Sequence, residues 1–281
     1  MKQRDGKVYI ASHRGFAAGN IPCNTTPAFQ CAIDCKSDII ELDVSVSADN
    51  NLFVSHPGLE PVHLNSQKLI CDMTADEVEA LRFYNYDKTR TQFGVERFEQ
   101  VMSFLKGKIK VNVDKFWTAP EEIASVIRKL HMENEVIIKT FPNEADIDAV
   151  EKYAPDLPYM PIITEENDFF ALIANRNLNC IGAEVIYKRE DSFVASDEFI
   201  SRMHENNYLL WTNAIVYNYK DVLAAGHSDD IAVAGNPDGA WGWMVEKGFD
   251  IIQTDWTSLC RAYVDRKCSE MERLKKKAHR G

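Results

Sequence analysis

Long apolar runs are missing from this chain of 281 residues. No segment approaches the roughly 18 uninterrupted apolar residues that a membrane-spanning helix requires. The first residues, Met1–Gly15, are polar and lack the apolar segment of a signal peptide. We therefore expect a protein that is not stably inserted into a membrane and that resides in the cytoplasm.

Positive charge is scarce. The chain carries 32 Lys and Arg residues against 43 Asp and Glu residues, which gives a net charge of -11 and a pI near 5.2. General nucleic-acid binders present a basic surface, so we expect no nucleic-acid partner. A small anionic substrate is compatible with this composition, because a local cluster of cations or a bound metal can outweigh the overall charge.

Paired cysteines and linkers are also missing. The seven cysteines are scattered and form no CxxC motif. Cys31 and Cys35, four residues apart in a predicted helix, could form a metal-ligand pair, but small apolar side chains in a reducing compartment are the favoured interpretation. No Pro-, Gly- or Ser-rich segment divides the chain, so we expect one domain over residues 1–281.

What the chain does contain is a regular alternation of short β-branched runs with amphipathic stretches. The predicted strands are Val8–Ile10, Ile39–Val46, Lys110–Val113, Val136–Ile138, Tyr159–Ile163, Ile181–Val185, Tyr208–Thr212 and Asp250–Thr254. The predicted helices between them include Thr26–Cys35, Glu121–Leu130, Ala145–Tyr153, Asp197–Asn206 and Gly239–Lys247. A strand followed by a helix, eight times over, is typical of the parallel (β/α)₈ or TIM barrel, an α/β fold.

One interval breaks the alternation. Between about residues 57 and 104 no strong strand is found, although Thr74 followed by Glu77 predicts a capped helix within Met73–Leu81. We interpret this interval as a small insertion between the second and third barrel strands. Such insertions lie at the carboxyl-terminal face of the barrel, where the active sites of TIM-barrel enzymes are built.

Basic side chains follow the first predicted strands. His13 and Arg14 come directly after strand one, and His56 comes after the short run Leu52–Val54. Arginine presents a rigid fork of donors that matches phosphate oxygens. Histidine transfers protons near neutral pH, so two of them can divide the roles of acid and base. A His-Arg pair alone is more often a surface feature.

Acidic side chains occur within the predicted strands. Glu41 and Asp43 are two residues apart and therefore face the same side of one strand. The strand is apolar on both faces, which disfavours the alternative of an exposed edge strand. Buried carboxylates need a compensating cation, and hard cations such as Mg²⁺ and Ca²⁺ take oxygen ligands. Asp114, at the end of the third strand, could complete a triad that polarises a phosphoryl group.

Taken together, these residues resemble the signature of the glycerophosphodiester phosphodiesterase family. Any one motif is weak, but their order and spacing are specific and extend over about residues 8–260. The matching segments are His13–Gly15, Pro22–Thr25 with Ala28 and Phe29, Glu41–Val44, His56, Asn112–Lys115, Leu210–Asn213 and Gly248–Asp255.

The resemblance implies a metal-dependent phosphoric diester hydrolase of lipid and glycerol metabolism. Its substrate would be a small glycerophosphodiester, cleaved to glycerol 3-phosphate and an alcohol after attack by the glycerol 2-hydroxyl or by water. One divalent cation, Mg²⁺ or Ca²⁺ with Mn²⁺ also possible, would assist. The implied roles are His13 and His56 as the catalytic acid/base pair, Arg14 as phosphate ligand, and Glu41, Asp43 and Asp114 as metal ligands.

Three positions depart from the family pattern. Cys23 replaces a Glu, and Pro57 follows the second histidine where Asp is usual. The family has Glu-x-Lys on strand three, whereas here Lys115 directly follows Asp114. In a regular strand Lys115 would point away from Asp114, so we expect Lys139, at the end of strand four, to supply the missing cation. Lys115 and Lys139 are thus both candidate phosphate-binding residues; an ordinary surface lysine is the alternative for Lys139.

Two further residues are predicted near the barrel mouth. Glu184 lies on strand six, and Trp211 could wall the substrate pocket or simply pack in the core. The insertion and the loop over residues 217–237 would contact the alcohol. Other functions stay open: a sphingomyelinase D-like or phospholipase C-like enzyme, a phosphate-binding barrel without catalysis, or a glycosidase with two carboxylates. The oligomeric state is not predicted.

Overall fold

Eight parallel strands close into a barrel in the computed structural model, which describes residues 6–218 and 220–278. In chain order the strands are β1 (Tyr9–Ser12), β2 (Ile39–Val46), β3 (Leu52–Val54), β4 (Glu96–Arg97), β5 (Lys110–Asp114), β6 (Val136–Thr140), β7 (Tyr159–Ile163), β8 (Gly182–Val185), β9 (Leu209–Asn213) and β10 (Ile251–Thr254). Around the barrel the order is β1, β2, β5, β6, β7, β8, β9 and β10, and β10 pairs with β1 to close the ring. The predicted TIM barrel is confirmed.

The second strand shows why the sequence forms this barrel. β2 is buried at every position from Ile39 to Ser45 and pairs in parallel with both β1 and β5. Ile40 and Leu42 belong to the apolar layer between strands and helices. Ile39 belongs instead to the cluster inside the barrel, with Trp211. Because side chains alternate along a strand, the carboxylates at positions 41 and 43 also face the interior.

Most of the helices cover the outside of the barrel. In chain order the helices are α1 (Thr26–Asp34), α2 (Glu60–His63), α3 (Ala75–Ala80), α4 (Phe98–Leu105), α5 (Pro120–Lys129), α6 (Glu144–Tyr153), α7 (Phe169–Ile173), α8 (Asp197–Glu205), α9 (Asp229–Val233), α10 (Trp243–Lys247) and α11 (Thr257–Ala278). Of these, α2 and α3 belong to the insertion described below. Side-chain caps begin several of them, for example Thr25 at α1 and Ser196 at α8. The predicted helices are confirmed, although the last begins as a π-helix over Asp238–Gly242.

The insertion between the second and third barrel strands is a small antiparallel extension with its own apolar cluster. β3 pairs antiparallel with β2, and β4 pairs antiparallel with β3. Thr74 and Glu77 form the predicted capping box at α3. Phe53 and Phe83 are buried together beneath these elements. The helix α4, which falls within the range predicted for the insertion, packs against the barrel strands instead.

The longest helix ends the described part of the chain. α11 spans 22 residues and packs its Tyr263 and Val264 into the apolar layer outside the barrel. Among the helices that the structure describes, none combines the length and the apolar character that crossing a membrane requires.

Candidate active site

Acidic side chains from two neighbouring strands converge at the carboxyl-terminal end of the barrel. The register places Glu41 of β2 beside Asn112 of β5, and Asp43 beside Asp114. One carboxylate oxygen from each of the three acids lies within 4.8 Å of the others. The structure therefore brings together the three residues that were predicted as metal ligands.

The acidic triad suits a hard cation. Within the described residues, the Oδ1 atoms of Asp114 and Asn112 are buried without a hydrogen-bond partner, and leaving a buried oxygen unpaired is costly. Burial and the neighbouring charge of Asp43 raise the pKa of Glu41 to about 7. A divalent cation would satisfy the unpaired oxygens and offset the crowded charge. The donor set fits Mg²⁺, Ca²⁺ and Mn²⁺ equally.

Arg14 is fixed against this triad through its backbone and its side chain. Its φ of 55° is left-handed, and its backbone N–H donates to Glu41 Oε2 at 2.8 Å. Its Nε forms an ion pair with Asp43 Oδ2 at 2.9 Å, and that oxygen accepts a hydrogen bond from Asn24 Nδ2 at 2.9 Å. Burial alone would raise the pKa of Asp43, but the charges of Arg14 and Lys115 lower it to about 2. Asp43 is therefore ionised at neutral pH.

His13 is paired with an acid from the far end of the chain. Its Nδ1 donates to Asp255 Oδ1 at 2.8 Å, since an ionised carboxylate only accepts. Burial works to lower the pKa of His13, but the hydrogen bond and charge of Asp255, with the charge of Glu41, outweigh it and raise that pKa. Asp255 is itself held in place, because its backbone N–H donates to Asp229 Oδ2 at 2.8 Å.

His56 is held by a neutral partner instead. Its Nδ1 donates to the backbone carbonyl of Pro57 at 2.8 Å, so the neutral ring carries its free electron pair on Nε2. That Nε2 lies 3.9 Å from Asp43 Oδ1. Burial lowers the pKa of His56 against the opposing charge of Asp43, and the charges of Arg14 and Lys115 act in the same direction as burial. The two histidines therefore differ in the nature of their partners.

Lys115 turns back into the site, so the expectation that it points away from Asp114 is wrong. The strand β5 ends at Asp114, and Lys115 adopts a left-handed φ of 61°. Its Nζ donates to Asp114 Oδ2 at 2.6 Å and lies 3.5 Å from Asp43 Oδ1. The left-handed backbone at Lys115 thus directs its ammonium group to Asp114 and Asp43, although the lysine directly follows Asp114 in the sequence.

Lys139 ends inside the barrel, so the interpretation as a surface lysine is wrong. Its Nζ donates to Glu184 Oε2 at 2.6 Å and lies 3.2 Å from the centre of the Trp211 ring. Asn213 Nδ2 donates to the other Glu184 oxygen at 2.6 Å. Trp211 is completely buried in the barrel interior. Binding of the phosphate by Lys139 stays a prediction.

Replacing Lys139 removes the cation that compensates a buried acid. We expect Lys139→Met to lower the free energy of unfolding by about 3 kcal/mol, because Glu184 keeps its hydrogen bond from Asn213 but loses its charged partner. A double variant that adds Glu184→Leu should recover most of this loss. Urea unfolding of the three proteins measures the effect, and a single variant as stable as the parent would contradict the pairing. Unchanged turnover in folded Lys139→Met would discard its role in phosphate binding.

A cavity of about 590 Å³ opens at the mouth of the barrel. Its walls include His13, Arg14, Cys23 and Asp255 from the barrel, Leu59 and His63 from the insertion, and Val216, Tyr217 and Asn218 from the segment after β9. Both segments that were expected to contact the alcohol therefore reach the site. Glu184 and Trp211, which were predicted near the mouth, are not among the described residues that line this cavity.

Three residues of the site were missed as functional positions. Asp255 follows the last strand directly, and a polar residue at that place in a barrel is a usable signal. Asn24 lies within Pro22–Thr25 but gives no sign from sequence that its amide reaches Asp43. His63 lines the cavity from α2, and nothing in its sequence context distinguishes it from a surface histidine.

Known proteins resemble the chain in part or over most of its length. A family model described as a domain of unknown function, DUF4996, matches residues 159–264. The uncharacterized protein YqiK of Bacillus subtilis is 26% identical over 202 residues, which cover 69% of this chain and 81% of that protein. A glycerophosphodiester phosphodiesterase of Caldanaerobacter subterraneus is 29% identical over 159 residues, which cover 54% of this chain and 65% of that protein, just under two thirds.

A solved structure shares the fold. A glycerophosphoryl diester phosphodiesterase of Parabacteroides distasonis superposes with a TM-score of 0.74 at 19% sequence identity, over 96% of this chain and 89% of that one. This likeness confirms the barrel. The curated phosphodiesterase relative described above bears out the family resemblance that the sequence motifs indicated.

Proposed function

We propose that this chain, which belongs to the glycerophosphodiester phosphodiesterase family, is a phosphoric diester hydrolase that cleaves glycerophosphodiesters to glycerol 3-phosphate and an alcohol. One observation carries the proposal: His13, Arg14 and His56 stand around an acidic triad at the mouth of the barrel. Two relatives that are named glycerophosphodiester phosphodiesterase support the proposal.

The triad and its neighbouring cations would bind the substrate's phosphate. Glu41, Asp43 and Asp114 would hold one divalent cation, Mg²⁺, Ca²⁺ or Mn²⁺, which supplies the positive charge that polarises a phosphoryl group. Arg14 lines the cavity, where its donors suit phosphate oxygens. Lys115 adds a second positive charge beside the acids. Together these groups would stabilise the charge that develops at phosphorus.

The hydrogen bonds of the two histidines suggest how they divide the proton transfers. His56, with its free electron pair on Nε2, would take the proton from the attacking hydroxyl as the new P–O bond forms. His13, whose protonated form is stabilised by Asp255, would give a proton to the departing alcohol oxygen as the old P–O bond breaks. The arrangement serves attack by water, which gives glycerol 3-phosphate directly. It also serves attack by the glycerol 2-hydroxyl, which gives a cyclic phosphate that water then opens to glycerol 3-phosphate, with the acid and base roles of the two histidines exchanged.

Metal removal tests the proposal. We expect release of glycerol 3-phosphate from glycerophosphocholine and glycerophosphoethanolamine to stop in EDTA and to return when Mg²⁺, Ca²⁺ or Mn²⁺ is restored. Asp114→Asn should require at least about tenfold more metal for half-maximal activity, because one charged ligand is lost. Asp156→Asn, at an exposed acid paired with Arg128, is the control and should behave as the parent. No release with any metal would overturn the proposed reaction.

A further inference from the structure

A second cavity adjoins the mouth cavity. It has a volume of about 290 Å³ and is formed by the connection between β9 and β10 together with α9. We call it the side cavity. Its apolar wall is made by Ile215, Val222, Leu223, Ala224 and Ile231. Pockets that hold a complete ligand are typically about 300–1,000 Å³, so the side cavity suits one segment of a larger molecule.

The two cavities share part of their lining. Val216 and Asn218 line both of them, and His13 and Arg14 also line the mouth cavity. The side cavity therefore lies next to the cavity in which a phosphodiester would bind at Arg14. This adjacency favours an occupant that is part of the substrate over a separate effector.

Three polar side chains around the side cavity already have partners. Asn218 Nδ2 donates to Asp221 Oδ2 at 2.6 Å, and Ser228 caps α9. His227 stacks on Trp243 with ring centres 4.0 Å apart and its Nε2 donates to Glu190 at 3.0 Å. A hydroxyl-rich group placed here would lose water without gaining equivalent hydrogen bonds. Its acidic neighbours also make the side cavity unsuitable for phosphate.

We propose that the side cavity binds a hydrocarbon segment of the alcohol in the scissile phosphodiester. This inference rests on the proposed function and adds the chemical class of the leaving alcohol. The glycerol, with two free hydroxyls, does not fit an apolar wall, whereas an alkyl chain buries its methylenes there at no polar cost. The substrate class is then a glycerophosphodiester of an alcohol that carries an alkyl segment.

A homologous series of substrates tests the side cavity. Release of glycerol 3-phosphate is measured from its methyl, butyl and hexyl esters with the metal-loaded protein. Full burial of one methylene raises kcat/KM about fourfold, so even partial burial should place the hexyl ester at least about tenfold above the methyl ester. A flat or falling series would overturn the inference.

Two positions on one short helix give a matched pair of variants. Ile231 lines the side cavity and is 39% exposed, whereas Val233 is 41% exposed and lies outside it. We expect Ile231→Asn to lower the hexyl-to-methyl ratio of kcat/KM by at least about threefold. Val233→Asn should keep the parent ratio. The same ratio in all three proteins would show that the alkyl chain does not contact this wall.

The outcomes of these measurements distinguish a failure of the side-cavity assignment from a failure of the proposed function. If glycerophosphocholine is cleaved but the alkyl series is flat, the side-cavity assignment fails and the proposed function stands. If the gain in kcat/KM occurs only when the alkyl chain is attached to the glycerol of glycerophosphocholine, the assignment to the alcohol is wrong.

If no ester is cleaved, calorimetry with methyl and hexyl phosphate tests whether the side cavity binds an alkyl chain. Tighter binding of hexyl phosphate in the parent, lost in Ile231→Asn, supports the side cavity, and equal affinities overturn it.

Discussion

A His13→Ala protein should release glycerol 3-phosphate from glycerophosphocholine with a kcat about 10²- to 10⁴-fold below that of the parent chain. His13 is held by Asp255 at 2.8 Å and lines the cavity beside Arg14, so its loss should remove the proposed proton donor for the departing alcohol. The groups proposed to bind the phosphate are left in place. KM should therefore change much less than kcat, which steady-state kinetics at saturating metal will show.

A second His–Asp pair provides the control for this prediction. His204 Nε2 lies 3.0 Å from Asp250 Oδ2, and its side chain is 15% exposed, against 13% for His13. His204 does not line the mouth cavity described above. His204→Ala should lose stability yet keep the kcat of the folded enzyme. If the two variants lose kcat equally, or if His13→Ala stays within about tenfold of the parent, His13 does not act as acid or base.

Gly182→Ala should have the largest effect on stability, lowering the free energy of unfolding by about 4 kcal/mol or preventing folding altogether. Gly182 of β8 pairs with Leu209 of β9. A methyl group at position 182 would lie 2.0 Å from the backbone oxygen of Leu209 and 2.8 Å from its backbone carbon and nitrogen. Because backbone atoms cannot swing aside as a flexible side chain can, the two strands would have to separate.

Gly107→Ala is the matched control for that change. Gly107 has a left-handed φ of 72°, and an added methyl group would meet nothing within 4 Å. The expected loss is only the backbone strain of about 1–2 kcal/mol. Denaturant unfolding, with circular dichroism to establish folding, compares the two. If Gly182→Ala is no less stable than Gly107→Ala, β8 and β9 are not packed as closely as described.

The barrel and its acidic triad could be predicted because both depend on local pattern. A run such as Ile39–Val46, apolar on both faces, is explained by a strand covered on both sides. Within it, a spacing of two residues is sufficient to place Glu41 and Asp43 on the same face. Asp114 follows from the same reasoning one strand further on, since parallel strands end at the same rim of the barrel.

Contacts that depend on irregular backbone or on distant segments could not be predicted. Lys115 reaches Asp114 only because its φ is 61°, and a regular strand predicts the opposite direction. His13 and Asp255 are 242 positions apart and meet only because β1 pairs with β10. Lys139 turns inward to an acid on a strand two places away around the barrel, a choice that its own neighbours in sequence do not reveal.

The antiparallel extension fixes the position of His56 independently of the longer segment that follows it. Val54 is paired on one side with Val44 of β2 and on the other with Glu96 of β4. The residue after it, Ser55, donates its backbone N–H to Asp43 O at 3.1 Å. His56 is thereby anchored to the strand that carries Glu41 and Asp43, before the chain enters residues 58–94. Because β3 and β4 hold the two ends of that segment, a change in its length or sequence would alter one wall of the mouth cavity and leave His56 in its place.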